Sequence, residues 1–146
     1  MERSQIPDTY KWKLEPIFAD DAAFEASLSA MTKDRAMLAS YQGKLSKPSE
    51  LLACLELYFQ TRLQTNKLTL YGNLRFDSHQ KDTQAQALHE KSLDAMNALM
   101  AAASFIRQEI LALDDAAVAK AYAAEPGLSK YKPYVDEVRR RRAHVL

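Results

Sequence analysis

Glycine and proline are scarce in this 146-residue chain, at three and five residues, which leaves little material for the turns of a sheet and favours helix. Cysteine occurs once, so no internal disulfide can form, and the setting of Cys54 beside Leu51, Leu52 and Leu55 marks it as a small buried apolar group. Charge of neither sign predominates. The formal net charge of +1 supplies no general field to attract nucleic acid or an anionic membrane, so either role would need a local patch. Long apolar runs are missing as well: the richest, residues 98–106, falls far below the ~18 residues of a membrane span. The first residues, Met1-Glu2-Arg3-Ser4-Gln5, lack the apolar core of a signal peptide, and a cytoplasmic protein without membrane contact is expected. What is present, 47% hydrophobic and 27% charged residues, is ordinary for one globular domain, which at this length buries roughly two thirds of its unfolded surface.

The pattern predicts an all-α fold, a helical bundle built on a long antiparallel helical hairpin over residues 51–113. In the second arm Ala85, Leu88, Ser92, Met96, Leu99, Ala103, Ile106, Ile110 and Leu113 recur at steps of three and four and share one helix side. The first arm repeats the spacing with Leu52, Leu55, Phe59, Leu63, Leu70 and Leu74, interrupted at Asn66. The polar stretch Asp77-Ser78-His79-Gln80-Lys81-Asp82 is the turn between the arms.

Around that hairpin, residues 1–19 form an extended lead-in, with Pro7 and Pro16 preventing a continuous helix and Trp12, Leu14, Ile17 and Phe18 as anchors; a helical domain over 20–146 follows. A first helix capped by Asp20 or Asp21 buries Phe24, Leu28, Met31 and Leu38 and stops before Gly43. Pro48 suits the first turn of the first arm, and Asp82 or Thr83 caps the second. Asp114 and Asp115 start a shorter helix through Tyr122, ended by Pro126-Gly127. A last helix is expected from Ser129 towards His144, with Tyr131, Val135 and Val138 on one face. It carries no stop signal, as though more chain followed.

No complete catalytic set is visible. The histidines His79, His89 and His144 are scattered; His89-Glu90 resembles the start of HExxH, but Leu93 stands where the second histidine belongs, and an exposed helix histidine is the expectation for His89. The serines lack glycine-flanked elbows, and Cys54 has no adjacent base. Arg139-Arg140-Arg141-Arg142, near Tyr131 and Tyr134, has the minimum for gripping and stacking on nucleic acid, but the balanced remainder of the chain argues against that function. Tyr71, Arg75, Phe76 and Asp77 mix aromatic and charged groups beside the turn, where a helix end packed on its loop is the plain explanation.

Three stretches carry a family resemblance. Ile6-Pro7, Lys11-Trp12-Lys13-Leu14 and Ile17-Phe18 resemble the N-terminal signature of oligoendopeptidase F. Tyr71, Leu74 and Asp77, with Ala102-Ala103-Ser104-Phe105 and Glu109-Ile110-Leu111, are similar to that family's helical N-terminal domain. Leu128-Ser129-Lys130-Tyr131 and the residues from Arg139 to His144-Val145-Leu146 resemble its approach to the central domain. The resemblance implies a zinc metalloendopeptidase of the thimet-oligopeptidase kind, which cuts oligopeptides in a deep channel enclosed by a helical shell. Its HExxH and further zinc ligand would lie outside this region, so the chain alone is expected to bind no zinc and to be inactive. The implied role is a channel wall that partners the catalytic domain, with Tyr71, Arg75 and Asp77 as the channel-facing residues. Apolar surface left uncovered by a missing partner predicts self-association, through the hairpin or the last helix. The rival expectation is a stand-alone helical module for protein or peptide interaction.

Overall fold

A computed structural model describes residues 17–78 and 81–141. Most of the helices begin where the sequence supplies a cap or a first-turn proline. Asp20 caps α1 (Asp21–Ala39) by accepting the Ala23 N–H at 2.8 Å. Pro48, whose missing N–H costs nothing in a first turn, opens α2 (Pro48–Ser78). Asp82 caps α3 (Thr83–Ala102) through the Gln84 N–H at 2.9 Å, and Asp114 caps α5 (Asp115–Ala124) through the Ala117 N–H at 2.7 Å. Between these lies α4 (Ser104–Ala112), and a 3-10 turn over Pro126–Tyr131 leads into α6 (Lys132–Arg140). Among the described residues there is no strand, and the fold is all-α.

Two expectations need correction. The second arm is two helices, not one: it breaks at Ala103, whose backbone sits at φ −93°, ψ 0°. The Ser104 hydroxyl donates to the Ala101 carbonyl at 2.9 Å, the acceptor that the Phe105 N–H would take in an unbroken helix. The last helix starts at Lys132 instead of Ser129, because Pro133 is suited to a first turn and unsuited to an interior.

The chain forms two compact units, Met1–Lys33 with Thr61–Leu99, and Asp34–Gln60 with Met100–Leu146. In the first, the later part of α2 and most of α3 run antiparallel. A Cβ on Gly72 would lie 2.7 Å from Ser92 Oγ, and Phe76 stacks on His89 at 4.9 Å, so positions rise along one helix as they fall along the other. Phe24, Met31, Leu68, Tyr71, Leu88 and Ala95 form its core, with Ile17, Phe18, Leu28 and Leu74 packed on them. The rings of Phe18, Phe24 and Tyr71 meet pairwise at 5.4 to 5.9 Å. Ile17 and Phe18 thus serve as the anchors expected of the lead-in; its earlier residues, including Trp12 and Leu14, lie outside the described residues.

The second unit buries Leu38, Leu45, Cys54, Leu55, Ile106, Ile110 and Leu128, each at most 1% exposed. Burial, with the charge of Glu109 adding to it, pushes the Cys54 thiol up to about 12, as befits an apolar filler and not a nucleophile. After α1 the chain turns through Gly43 at φ +85°, a conformation that glycine takes without strain. Glu109 of α4 fastens this turn by accepting the N–H groups of Gly43 at 2.8 Å and Leu45 at 3.2 Å. Glu109→Ala leaves both donors without that acceptor and should cost about 1–2 kcal/mol in a urea titration, with Glu109→Gln recovering part of the loss.

Candidate functional site

The three residues singled out beside the turn take different places. Tyr71 and Arg75, four apart on α2, present their polar ends to one another's partners, whereas Asp77 is exposed and outside that group. The centre of the group is Asp21, in the first turn of α1. It accepts the Tyr71 hydroxyl at 2.6 Å, Arg75 Nε at 3.3 Å, Arg75 Nη2 at 2.9 Å and Gln84 Nε2 at 2.7 Å. Arg75 Nη1 reaches Asp82 Oδ2 at 3.2 Å, so a single guanidinium joins α1 to the capping residue of α3.

The electrostatics follow from this packing. Burial alone would raise the Asp21 carboxyl, but the bonds from Arg75 and Tyr71 outweigh it and hold the group below its ordinary 3.8. Burial works the same way on Asp82, and the Gln84 N–H and Arg75 again win and lower it. Tyr71 is pushed up to about 12 by burial and by its bond to a carboxylate that favours the protonated phenol. Arg75 is raised, chiefly by Asp21, and stays charged at any working pH. With four donors on one carboxylate and the arginine fork spent on two acids, the group holds helix ends and offers no poised acid, base or nucleophile.

The other candidates are likewise engaged. His89 is half-buried against Phe76, with its Nδ1 buried and without a hydrogen-bond partner, which corrects the expectation of an exposed histidine. His79 and His144 lie outside the described residues. Among the described residues no three histidine, cysteine, aspartate or glutamate side chains are grouped to hold a metal. Arg139 pairs with Asp115, and Arg140 and Arg141 bind Glu137 at 2.7 and 2.9 Å; Arg142 lies outside the described residues. Tyr131 stacks on Phe59 at 5.3 Å and Tyr134 meets the same ring edge-on at 5.1 Å, so these faces pack on protein. No helix among the described residues is long and apolar enough to cross a membrane.

Nothing in the sequence marks Asp21 or Gln84 as a site residue. Asp21 was legible only as an alternative cap, and nothing local links it to positions 50 and 54 residues further on.

The described residues thus define an all-helical domain in which a polar group joins residues of α1 and α2 and the start of α3. A family model described as Oligopeptidase F matches residues 109–146. The chain is 24% identical to Oligopeptidase PepF of Bacillus subtilis over 99% of its own length and 22% of that protein's. The crystal structure of oligoendopeptidase-F from Enterococcus faecium superposes with a TM-score of 0.79 at 26% identity, covering 86% of this chain and 24% of that one. A solved protein from Chlamydophila abortus shares the fold, with a TM-score of 0.87 at 21% identity over 99% of this chain and 25% of the other. The chain is thus similar, over nearly its whole length, to part of the oligopeptidases of the F type. The chain spans about a quarter of the length of the relatives it matches.

Proposed function

We propose that this chain is the substrate-channel-forming part of a zinc metalloendopeptidase that hydrolyses oligopeptides in the cytoplasm. The observation that carries the reading is that nearly the whole chain matches about a quarter of an oligopeptidase. The described residues do not fit a catalytic zinc site, so no step of peptide hydrolysis is assigned to them. Metal and catalytic groups belong to the remaining three quarters of such an enzyme, the domain this one partners. The wall would act by access: a narrow helical enclosure admits short peptides and excludes folded proteins.

Within this reading the residues beside the turn divide their work. Asp77, exposed near the end of α2, is free to face the channel. Tyr71 and Arg75 support that end of the helix by holding Asp21 and Asp82. Self-association of the separated chain remains part of the proposal, since its partner's covering is missing.

A chimera in which this chain replaces the matching quarter of the Bacillus subtilis oligopeptidase tests the reading. Hydrolysis of a quenched fluorescent oligopeptide should stay within about tenfold of the parent enzyme, ~1.4 kcal/mol in barrier. The isolated chain should show no hydrolysis with added zinc. A folded but inactive chimera would turn the reading towards a stand-alone interaction module, and enzyme-like turnover by the isolated chain would end the statement that chemistry lies outside it.

A further inference from the structure

The first unit leaves a face of α2 uncovered. Leu63 is 55% exposed and Leu70 49%, far above the core leucine Leu68 at 0%. They stand seven residues apart, two helical turns, so they lie one above the other on the same side. Lys67 lies between them on that side, three residues before Leu70 and four after Leu63, and Arg62 flanks the stripe. Residues 59–76 contain no aspartate or glutamate, so the part of this face around Leu63 and Leu70 is apolar with a basic edge, and the nearest acids on that side are Asp77, seven residues after Leu70, and Glu56, seven before Leu63. Single exposed leucines are commonplace; two in register on one helix with charge of one sign form a patch with a definite complement.

We infer that this face, centred on Leu63 and Leu70, is where the remaining polypeptide of an oligopeptidase of this type seats on the domain, through an apolar surface edged with carboxylates. The inference rests on the function proposed above. Two observations name this occupant. About three quarters of each matched relative lies beyond the aligned region, and that mass must rest on the domain somewhere. The face also has the composition of an interface core beside a charged rim, with the basic half of the rim supplied here.

The test uses the chimera and the isolated chain together, each carrying Leu63→Glu with Leu70→Glu. At exposed positions the substitutions should leave the melting temperature of the isolated chain within ~2 °C. In the chimera they place carboxylates against an acid-edged apolar surface, and should lower the melting temperature by about 5 °C or more and reduce peptide hydrolysis at least tenfold. Lys67→Glu in the chimera should act in the same direction, and the Leu63→Lys, Leu70→Lys pair should be milder than the glutamate pair. Equal melting and activity of the substituted and unsubstituted chimeras would overturn the inference while leaving the proposed function standing. An equal drop in chimera and isolated chain would also overturn it, since the face would then support only its own unit. If the unsubstituted chimera melts without a cooperative transition, or folds and is inactive, the function falls and the inference with it.

Discussion

Gly72→Val should destabilise the protein by about 3 kcal/mol or more, a large fraction of the stability of a domain of this size. At Gly72 α2 packs tightly against α3. A Cβ there would lie 2.7 Å from Ser92 Oγ and 3.2 Å from both Ser92 Cβ and His89 Cα. The first contact can be relieved by rotating the serine, at the cost of its 2.7 Å hydrogen bond to the His89 carbonyl. The contact with His89 Cα is backbone, so relief there means moving a helix. Gly72→Ala is the instructive smaller step. Alanine gains about 1 kcal/mol of helix propensity over glycine, so the net loss should be nearer 1–2 kcal/mol. Ser92→Ala should rescue part of that loss by removing the nearest atom, giving a coupling of about 0.5–1 kcal/mol in a double-mutant cycle followed by urea unfolding. If Gly72→Ala were as stable as the wild type, the helices would have room to separate and the close packing would not be a constraint.

The same pair of helices explains which parts of the fold were legible in the sequence. On α3 the spacing picks out the buried side: Ala85, Leu88, Ser92 and Leu99 of the expected stripe are buried, with Ala95 buried in place of Met96, while the apolar Leu93 and Met100 off the stripe are exposed. On α2 hydropathy misled. The buried side runs through Leu51, Leu55, Tyr58, Thr61, Thr65, Leu68 and Tyr71, so the expected stripe was rotated and its Leu63 and Leu70 face outward. Two threonines can lie in a core because the Thr65 hydroxyl satisfies itself on the Thr61 carbonyl, at 2.8 Å, beside the Met31 sulfur. That bond is invisible to a scale that ranks threonine as polar, and the interruption at Asn66 was its only trace. The polar group around Asp21 was less legible still, because its members come from three helices. The caps were legible because each depends on a few adjacent residues.

Asp21→Asn should cost about 2–3 kcal/mol at pH 7 and, more tellingly, should flatten the acid side of the stability profile. The amide keeps an acceptor for one donor but removes the charge that holds Arg75, and turns an NH₂ group towards donors. Because the Asp21 carboxyl sits below 3.8 in the folded protein, its contribution to stability is fully present well above that value. It is lost as the pH falls from about 3.8 through the lower folded value, since protons then bind the unfolded chain first. Asp82, also lowered, adds to the same acid limb. Stability measured by urea unfolding should therefore decline below about pH 4 in the wild type more steeply than in Asp21→Asn, and the gap between the two should narrow as the pH falls further. Tyr71 sets the opposite limb. Its phenol is raised from 10.0 to about 12, so its contribution is intact below pH 10 and lost as the pH rises through 12. Removing the Asp21 charge also removes one of the causes of that rise, so the alkaline limb of the Asn variant should begin its descent from a smaller Tyr71 contribution. Parallel profiles at both ends would mean that the pairs seen around Asp21 are too well hydrated to carry stability. In that case the tie between α1, α2 and α3 would have to come from the apolar core, Phe24 and Met31 of α1, Leu68 and Tyr71 of α2, and Leu88 and Ala95 of α3.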